Sequence, residues 1–475
     1  MMRKFALTIM SITLTLLSIV STQAQSSNTP NQDPEINQLI EKLEDVIKKE
    51  HMPGLMVSLV KDDSVLLSTG IGYSDLEAKI PVTAQTEFHL ASITKFFVAL
   101  AIQKLISEGK LKLNDRVKDI APEVPFENEW EQTDPVRIVH LVENTSSFQD
   151  IAINKMVNTT GKPYKGIDAL KTIEKSLISR WKPGVMMSYS SPGFNVLGYI
   201  IEKVSGMPWD LYIQKEIFEP LKMNSSHFDL DGQSRKDYAK GYDFRDGRFN
   251  LLSYYIPSSN GASSALVSNG QDMGKFMHML LNVEKYGDIF KRGDLDEVER
   301  IHSTLASQHG LQTGYAMGND LFPNNKKVTF RGHNGKGEGF VSWLFFNREA
   351  GVAYSISSNC NAYLWRVSQV IEEFLTKDIK EPELHSVQIE NAFIEPYLGF
   401  YQNMNPKNER WEFHRRIFGG IKLLSAQQDK LVVEKGRGQI DTLIHMGEGI
   451  FRLQGDIIPS FVIAKDDQGN PFVLH

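Results

Sequence analysis

The sequence predicts an α+β protein: an antiparallel sheet beside a helical region, followed by a small all-β domain. Strand-like runs occur near both ends of residues 35–377, and helical patterns dominate residues 92–320 between them. After residue 386 the pattern changes to short strands separated by glycine-bearing turns. We therefore expect the two ends of the first domain to share one sheet, with a cleft between that sheet and the helical region.

The N-terminal segment has the pattern of an export signal. Arg3 and Lys4 are positive, residues 5–20 are mostly apolar, and small residues precede Gln25. We interpret residues 1–24 as a signal peptide, which predicts a secreted protein, periplasmic or extracellular. An uncleaved anchor is the alternative, although the apolar run is shorter than the ~20 residues that span a bilayer.

A polar stretch at residues 25–34 predicts a disordered leader before the first domain. Apolar residues then recur at helical spacing over residues 36–49. Two strand-like runs follow, at residues 54–60 and 65–73, and a short polar turn joins them. This arrangement is typical of an antiparallel hairpin.

The first domain is predicted to end in further strands and a helix. Strand-like runs occupy residues 327–332, 339–346 and 352–358, and helical spacing follows over residues 362–377. Residues 378–386 are charged and contain a proline, which indicates a linker.

Residues 387–475 predict an all-β domain, because glycine-bearing turns recur between short apolar runs. Its aromatic residues are interpreted as core rather than as a ligand-stacking surface. The residues in question are Tyr397, Phe400, Tyr401, Trp411, Phe413 and Phe418.

Composition narrows the function classes. The net charge is -6, with acidic and basic residues interspersed, which argues against nucleic acid or an anionic membrane surface as a partner. No segment after the signal is apolar enough to span a bilayer. No histidine and acid cluster has metal-ligand spacing, so we predict no metal and no other cofactor. The expected partner is a small-molecule or peptide substrate, and the oligomeric state stays open.

Residues 89–95, which read His-Leu-Ala-Ser-Ile-Thr-Lys, begin an apolar helical pattern. Positions i and i+3 lie on one helix face, so the Ser92 hydroxyl and the Lys95 amine can come within hydrogen-bond distance. Serine is a poor nucleophile without such help, and a helix N-terminus also stabilises a developing negative oxygen. Ser92 is therefore a candidate nucleophile.

The same spacing recurs at Ser58/Lys61, Ser107/Lys110 and Ser179/Lys182. The first pair lies in a strand-like run, where the two side chains would point to opposite faces. The other two lie at a helix end and in a turn, away from any helix N-terminus. For Ser92, the alternative is a capping serine beside a solvated lysine. Cys360 is the single cysteine, and we interpret it as a core residue.

Two further segments carry side chains suited to the same chemistry. Tyr189-Ser-Ser191 precedes a helical pattern and puts a phenol on a loop, while Gly332-His-Asn-Gly335 lies between two predicted strands. In this order with Ser92 and Lys95, they resemble the serine β-lactamase and penicillin-binding-protein superfamily, in particular its class C β-lactamase-like branch. The resemblance covers residues 35–377.

The resemblance implies a metal-independent serine hydrolase with a β-lactamase-like fold. Ser92 would form an acyl-enzyme, and Lys95 and Tyr189 would carry its proton to the leaving group. The backbone N–H groups of Ser92 and Lys336 would form the oxyanion hole. Tyr189 can act as a base only if a cationic environment lowers its pKa from about 10. The substrate-contacting positions that the resemblance implies are Ser191, His333, Asn334 and Gly335.

Departures from the family pattern bear on the substrate. Many relatives have asparagine at the position of Ser191. Residues 333–335 read His-Asn-Gly, where relatives have Lys-Thr-Gly or His-Thr-Gly. A neutral histidine offers no fixed charge to a carboxylate. We therefore expect an ester, a D-amino-acid peptide or a related amide as the substrate, with slow acylation by β-lactams.

Two alternatives remain open at this point. One is β-lactamase or D,D-carboxypeptidase activity at the same site. The other is a non-catalytic protein that binds peptidoglycan or another ligand, because fold alone does not determine function. Residues 136–148 resemble a family motif that usually reads His-Thr-Ser-Gly and are interpreted as structural. The C-terminal domain resembles small barrel-like domains of some relatives and could cap the cleft or mediate oligomerisation.

Overall fold

The structure is a computed structural model. The described residues are 33–152, 155, 158, 160–232, 237–253, 256–322, 325–402, 419–426, 430–465, 469 and 471–474. The predicted signal peptide and nearly all of the predicted leader lie outside them. None of the helices in the described ranges is long and apolar enough to cross a membrane.

Strands and helices are numbered separately along the chain. The strands are β1 Gly54–Lys61, β2 Ser64–Asp75, β3 Ile80–Pro81, β4 Phe88–Ala91, β5 His227–Phe228, β6 Tyr242–Arg245, β7 Arg248–Leu251, β8 Leu266–Ser268, β9 Asp320–Phe322, β10 Phe330–Gly337, β11 Phe340–Asn347, β12 Val352–Ser358, β13 Gly399–Tyr401, β14 Ile421–Ala426, β15 Lys430–Lys435, β16 Gln439–Gly447, β17 Ile450–Leu453, β18 Phe461–Lys465 and β19 Pro471–Leu474. The α-helices are α1 Pro34–Lys49, α2 Thr94–Ser107, α3 Val117–Ile120, α4 Ile138–Val142, α5 Gly166–Lys171, α6 Ser191–Ser205, α7 Trp209–Ile213, α8 Gly270–Leu281, α9 Arg292–Glu299, α10 Leu305–Gln308, α11 Trp365–Leu375 and α12 Asn391–Ile394.

The main sheet joins the two ends of the first domain, as predicted. Its strand order is β3-β2-β1-β12-β11-β10-β9, and every neighbouring pair is antiparallel. Strand β1 pairs with β12 in the register Leu55↔Ser358. The predicted α+β class is therefore confirmed.

Each face of the main sheet is covered by helices. On one face, α1 and α11 pack together, and their apolar side chains, such as Leu43 and Ile371, share a core with the sheet. On the other face, α8 crosses β1, β2 and β12. Gly274 permits this close approach, since a Cβ there would lie 2.9 Å from Ser58 Oγ. The Ser58 side chain is thus buried between the sheet and α8, which agrees with its exclusion as a nucleophile.

The central helix of the helical region is α2. Its apolar residues surround the helix rather than forming one stripe, and eleven of its fourteen residues are buried. A helix that is apolar all round belongs in a protein core. Helices α6, α7 and α9 pack against α2. The start of α2 is consequently held rigidly, and the main sheet lies beside it through β4, which contacts β10 and β11.

Element boundaries differ from prediction in a few places. Helix α1 begins at Pro34, two residues early, because Asp33 caps it through a 2.9 Å hydrogen bond from the Glu35 amide. The predicted strand at residues 327–332 is instead β10, which runs to Gly337. The Gly332-His-Asn-Gly335 segment therefore lies within a strand, not between two strands as we expected.

The C-terminal region forms a seven-stranded antiparallel sheet of consecutive strands, β13 to β19. Strand β19 lies against the helical turn Glu395–Tyr397 that precedes β13, so the sheet is nearly closed and barrel-like. Its core includes Leu423, Val433 and Phe451. Of the aromatic residues predicted for this core, Tyr397 is buried but Phe400 is 60% exposed, so the prediction is wrong for Phe400. Trp411, Phe413 and Phe418 lie outside the described residues.

Candidate active site

Ser92 lies in a sharp turn between β4 and α2. Ala91, the last residue of β4, has a positive φ of 48°, a conformation that L-residues rarely adopt. The Thr94 hydroxyl stabilises the turn by donating to the Ala91 carbonyl at 2.6 Å. Ser92 is only half-buried in a surrounding that is otherwise buried. The turn thus presents a reachable hydroxyl at the start of the central helix.

Lys95 points back at this hydroxyl from the first turn of α2. Its Nζ lies 3.2 Å from Ser92 Oγ and donates to the Ser263 carbonyl at 2.7 Å. The side chain is completely buried, and Nζ lies 4.9 Å from the ring centre of Tyr189. A solvated lysine beside a capping serine is therefore excluded. Ser263 was not predicted, because nothing in its local sequence reveals a carbonyl aimed at a distant lysine.

Tyr189 approaches Ser92 from the loop before α6. Its hydroxyl forms a hydrogen bond with Ser92. The Ser190 side chain caps α6 by accepting from the Gly193 amide, and the Asn144 side chain accepts from the Ser190 amide at 3.0 Å. These contacts fix the loop. Residues 136–148, which were expected to be structural, therefore support the residue next to Tyr189.

The pKa of Tyr189 moves in the opposite direction from the one required for a phenolate. Burial raises the pKa of Tyr189 well above its ordinary value. The hydrogen bond with Ser92 lowers this pKa, and the charges of Asp150 and Asp320 raise it further. The condition under which Tyr189 could act as a base, a lowered pKa, is therefore not met, because burial and two carboxylates raise this pKa. Tyr189 is a protonated phenol at neutral pH.

His333 is buried beside Tyr189, with ring centres 5.9 Å apart. Its Nδ1 lies 2.5 Å from the Asn334 carbonyl oxygen, and its Nε2 lies 3.1 Å from the Tyr315 hydroxyl. A carbonyl only accepts, so Nδ1 carries the proton and, in the neutral ring, Nε2 accepts from Tyr315. His333 is therefore a buried neighbour of Tyr189 rather than an exposed surface histidine.

Tyr315 completes this wall and was missed from the sequence. It is buried, and its ring meets that of Tyr189 edge to face at 6.1 Å. The Asn144 side chain also contacts its hydroxyl, and burial raises the pKa of Tyr315 far above its ordinary value. Tyr315 lies in a loop with no helical or strand periodicity, so no local signal indicated it.

Strand β10 passes directly against the Ser92 turn. A Cβ at Gly335 would lie 2.1 Å from the Leu90 carbonyl oxygen and 3.3 Å from the Ser92 amide nitrogen. Only glycine permits this approach. The side chains of Asn334 and Lys336 are exposed on the other face of the strand. The backbone at Gly335 and the amide of Ser92 thus lie side by side.

Ser191 is placed differently from the residues that surround Ser92. It is the first residue of α6, and its amide donates to Asp150 Oδ1 at 3.1 Å. In the described part of the chain, its own hydroxyl has no hydrogen-bond partner. Asp150 is half-buried and also accepts from the Ile151 amide at 3.0 Å. Asp150 and Asp320, neither of them predicted, make the surroundings of Tyr189 negative.

Cys360 does not compete with Ser92 as a nucleophile. It is buried, and burial raises the pKa of its thiol to about 11. A thiol with such a pKa is almost entirely protonated at neutral pH and is therefore inert. Within the described ranges, no group of three or more histidine, cysteine, aspartate or glutamate residues could hold a metal ion.

Comparisons with known proteins show which family and fold this chain resembles. A model of the beta-lactamase family matches residues 36–368. Protein flp of Staphylococcus aureus (strain MRSA252) is 27% identical over 348 residues, which cover 73% of this chain and 66% of flp. The matched region is thus about two thirds of that relative's length.

Two solved structures share the fold. The octameric penicillin-binding protein homologue from Pyrococcus abyssi aligns with a TM-score of 0.59 at 22% identity, over 92% of this chain and 95% of that one. The D-stereospecific amidohydrolase from a Streptomyces species aligns with a TM-score of 0.58 at 20% identity, over 72% and 98%. The first of these alignments extends over both the first domain and most of the C-terminal sheet.

Proposed function

The chain belongs to the beta-lactamase family, and from this premise we propose that it is an exported serine hydrolase that forms an acyl-enzyme on Ser92. The observation that carries the proposal is the convergence of Lys95 Nζ, at 3.2 Å, and the Tyr189 hydroxyl on Ser92 Oγ. A serine becomes nucleophilic when a neighbouring group can remove its proton.

In the proposed reaction, Ser92 Oγ attacks the substrate carbonyl carbon while its proton moves to Lys95 Nζ in its neutral form. Tyr189, held protonated by burial, gives its proton to the leaving oxygen or nitrogen and regains one from Lys95. The carbonyl bond to the leaving group breaks and an ester to Ser92 forms. Water then attacks this ester, and the same two side chains return the proton to Ser92.

The oxyanion hole would be formed by the amides of Ser92 and Lys336. Gly335 supports this assignment, because the absence of a Cβ brings β10 against the Ser92 amide. Two N–H groups fixed in a rigid backbone can stabilise the tetrahedral oxyanion without reorganising.

The substrate is proposed to be an ester, a D-amino-acid peptide or a related amide with a free amino group near the reacting carbonyl. Asp150 and Asp320 place negative charge around Tyr189, and the His-Asn-Gly segment has His333 where many relatives have lysine. An ammonium group on the substrate would be attracted by these carboxylates, whereas a substrate carboxylate would be repelled. The similar fold of a D-stereospecific amidohydrolase is compatible with this class.

Active-site labelling tests the proposal directly. We expect a fluorophosphonate to add covalently to Ser92, as located by mass spectrometry of the digested protein, and Ser92→Ala to abolish the adduct. A protein with no adduct at Ser92 would instead be a non-catalytic ligand-binding protein. A panel of p-nitrophenyl esters, D-amino-acid amides, D-Ala-D-Ala peptides and nitrocefin then sorts the substrate, and fast nitrocefin turnover would contradict the proposed class.

Export is tested separately. We expect the mature protein recovered from the periplasm or the medium to begin at Gln25, as determined by N-terminal sequencing. A protein that keeps Arg3 and Lys4 in the membrane fraction would support an uncleaved anchor.

A further inference from the structure

A cleft that does not involve Ser92 has a volume of about 700 Å³. It lies between the start of α4, the loop at residues 183–185 and the segment around α10. Ligand pockets typically have volumes in this range. Ser92, Tyr189 and His333 are not among its lining residues, so it is separate from the candidate active site.

Arg137 brings a cation to this cleft. Its guanidinium donates one hydrogen bond at 2.5 Å, to the Asn114 carbonyl. Among the described residues, no carboxylate lies within ion-pair distance of Arg137, and its remaining N–H groups have no protein acceptor. A half-buried guanidinium has five donors in a planar fork, which matches the two oxygens of a carboxylate. Most of the N–H donors of this guanidinium therefore have no acceptor among the described residues.

His140 adds a second donor from the same wall. Its Nδ1 accepts from the Arg137 amide at 3.2 Å, so the neutral ring carries its proton on Nε2. Burial lowers the pKa of His140 to about 4, which keeps the ring neutral at neutral pH. His140 is 9% exposed and lines the cleft, and its Nε2 is not one of the buried polar atoms that lack a partner, so this donor is accessible rather than sealed in the core. A ligand oxygen in the cleft can therefore accept a hydrogen bond from Nε2.

The access to this donor is kept open by Gly184. A Cβ at this position would lie 3.0 Å from His140 Nε2, and Gly184 has a positive φ of 89°. The position is therefore suited to glycine on both steric and conformational grounds. From Gly184 the chain continues towards Tyr189. Two hydrogen bonds hold this stretch in place: the Gly184 amide donates to the Thr145 carbonyl at 2.9 Å, and the Ser188 amide donates to the Asn144 carbonyl at 2.8 Å.

The rest of the lining limits the kind of anion that fits. Asp134 lies on the same wall and pairs with Lys182 at 3.4 Å. Its carboxylate would repel a dianion such as phosphate more strongly than an anion with a single charge. Leu113 and Leu305 provide apolar surface, and Gln308 provides a carboxamide. These lining groups match a ligand that has one negative charge, amide groups and some apolar surface.

We propose that this cleft is a second binding site, for the free C-terminal carboxylate of a short peptide, which Arg137 and His140 hold through N–H donors. Nothing in this proposal depends on the hydrolase reaction at Ser92. The peptide body would lie along the 183–185 segment.

Calorimetry with trialanine and its C-terminal amide tests the proposal. The titrations use the Ser92→Ala protein, which cannot consume either peptide through an acyl-enzyme. We expect trialanine to bind at least tenfold more tightly than the amide, since a hydrogen bond to a charged group contributes at least about that factor. This comparison needs no change in the cleft. Equal affinity of the two peptides would overturn the proposal.

A variant pair locates the site. In the Ser92→Ala background, Arg137→Gln should weaken trialanine binding at least tenfold, whereas Arg366→Gln removes an arginine on α11 with the same change in net charge and should leave it unchanged. Arg137→Lys keeps the charge but loses the fork, so we expect intermediate affinity. Equal melting temperatures establish that the variants fold. Undiminished trialanine binding by Arg137→Gln would refute the site. Equal losses of trialanine binding in folded Arg137→Gln and Arg366→Gln proteins would refute it as well.

Discussion

The Tyr315 hydroxyl lies 3.1 Å from Nε2 of His333, which accepts its hydrogen in the neutral ring. Because Nδ1 of His333 is already turned to the Asn334 carbonyl at 2.5 Å, both ring nitrogens have partners. The ring is thereby held in one tautomer beside Tyr189. His333, which the sequence predicts to contact the substrate, thus also lies against the phenol that contacts Ser92.

Tyr315→Phe tests this support. We expect kcat/KM for a p-nitrophenyl ester to fall about tenfold, because His333 loses the donor that fixes its tautomer and Tyr189 loses a rigid neighbour. Ring ¹⁵N shifts of histidine should show a protonated Nδ1 in the parent protein and a mixed tautomer in the variant. Tyr199→Phe, which removes a hydroxyl that donates to Glu123 on the surface, is the matched control. An unchanged His333 spectrum in Tyr315→Phe would contradict the assignment.

Lys95→Met should reduce the acylation rate by about a hundredfold to ten-thousandfold, the range expected for loss of a proton-transfer group. Methionine keeps the buried volume of the lysine stem but removes both the contact to Ser92 and the donor to the Ser263 carbonyl. Burst kinetics with a fluorophosphonate measure this rate. Lys104→Met, on the same helix but at its far end, should leave the rate unchanged. Equal rates in the two variants would exclude Lys95 from the reaction.

Gly335→Ala should lower kcat/KM by about a hundredfold to a thousandfold, the effect expected when an oxyanion-hole donor is displaced. The new methyl group would lie 2.1 Å from the Leu90 carbonyl oxygen, which forces β10 away from Ser92. Gly337→Ala is the control on the same strand, because its Cβ would meet nothing closer than Ala91 Cβ at 3.6 Å. Steady-state kinetics and melting temperatures of both variants separate a catalytic effect from a folding one. Similar kinetics in the two variants would argue against the close approach at Gly335.

Glu143 predicts a pH dependence of stability. Burial raises the pKa of its carboxyl to about 7, although amides of His302 and Ser303 and the Ser303 hydroxyl donate to it. Because the folded pKa lies above the unfolded value near 4.5, the unfolded chain binds fewer protons between these two pH values. The free energy of unfolding should therefore fall as pH rises from about 4.5 to about 7, by up to ~3 kcal/mol from this group.

Chemical denaturation at several pH values between 4.5 and 8 measures this effect. Glu143→Gln cannot ionise, so the difference in unfolding free energy between parent and variant isolates the contribution of this group. We expect the variant to lose stability less steeply than the parent as the pH rises towards 7. Parallel pH profiles of the two proteins would show that Glu143 does not titrate in this interval.

The sequence predicts well where local periodicity carries the signal. The hairpin of β1 and β2, the long apolar helix α2 and its i, i+3 pair of Ser92 and Lys95 all follow from residue spacing. The extent of β10 was missed, because Gly332 and Gly335 suggested a loop although they serve close packing within a strand.

Residues that reach the site from distant segments could not be predicted in this way. Tyr315 and Asp320 lie in a part of the sequence without clear helical or strand periodicity. Ser263 contributes only a backbone carbonyl. Their roles depend on how the helical region folds onto the sheet. The raised pKa of Tyr189 could not be predicted for the same reason, since burial is a property of the assembled site rather than of the motif.

The pairing of β1 with β12 has a consequence for how the chain acquires its structure. Leu55 pairs with Ser358, so two adjacent central strands are separated by nearly the whole first domain. Contacts of such long sequence separation form late and slowly, because the intervening loop must close before they contribute stability. The main sheet can close only after residue 358 has been synthesised, so a nascent chain that ends earlier lacks a complete sheet against which the Ser92 turn can pack.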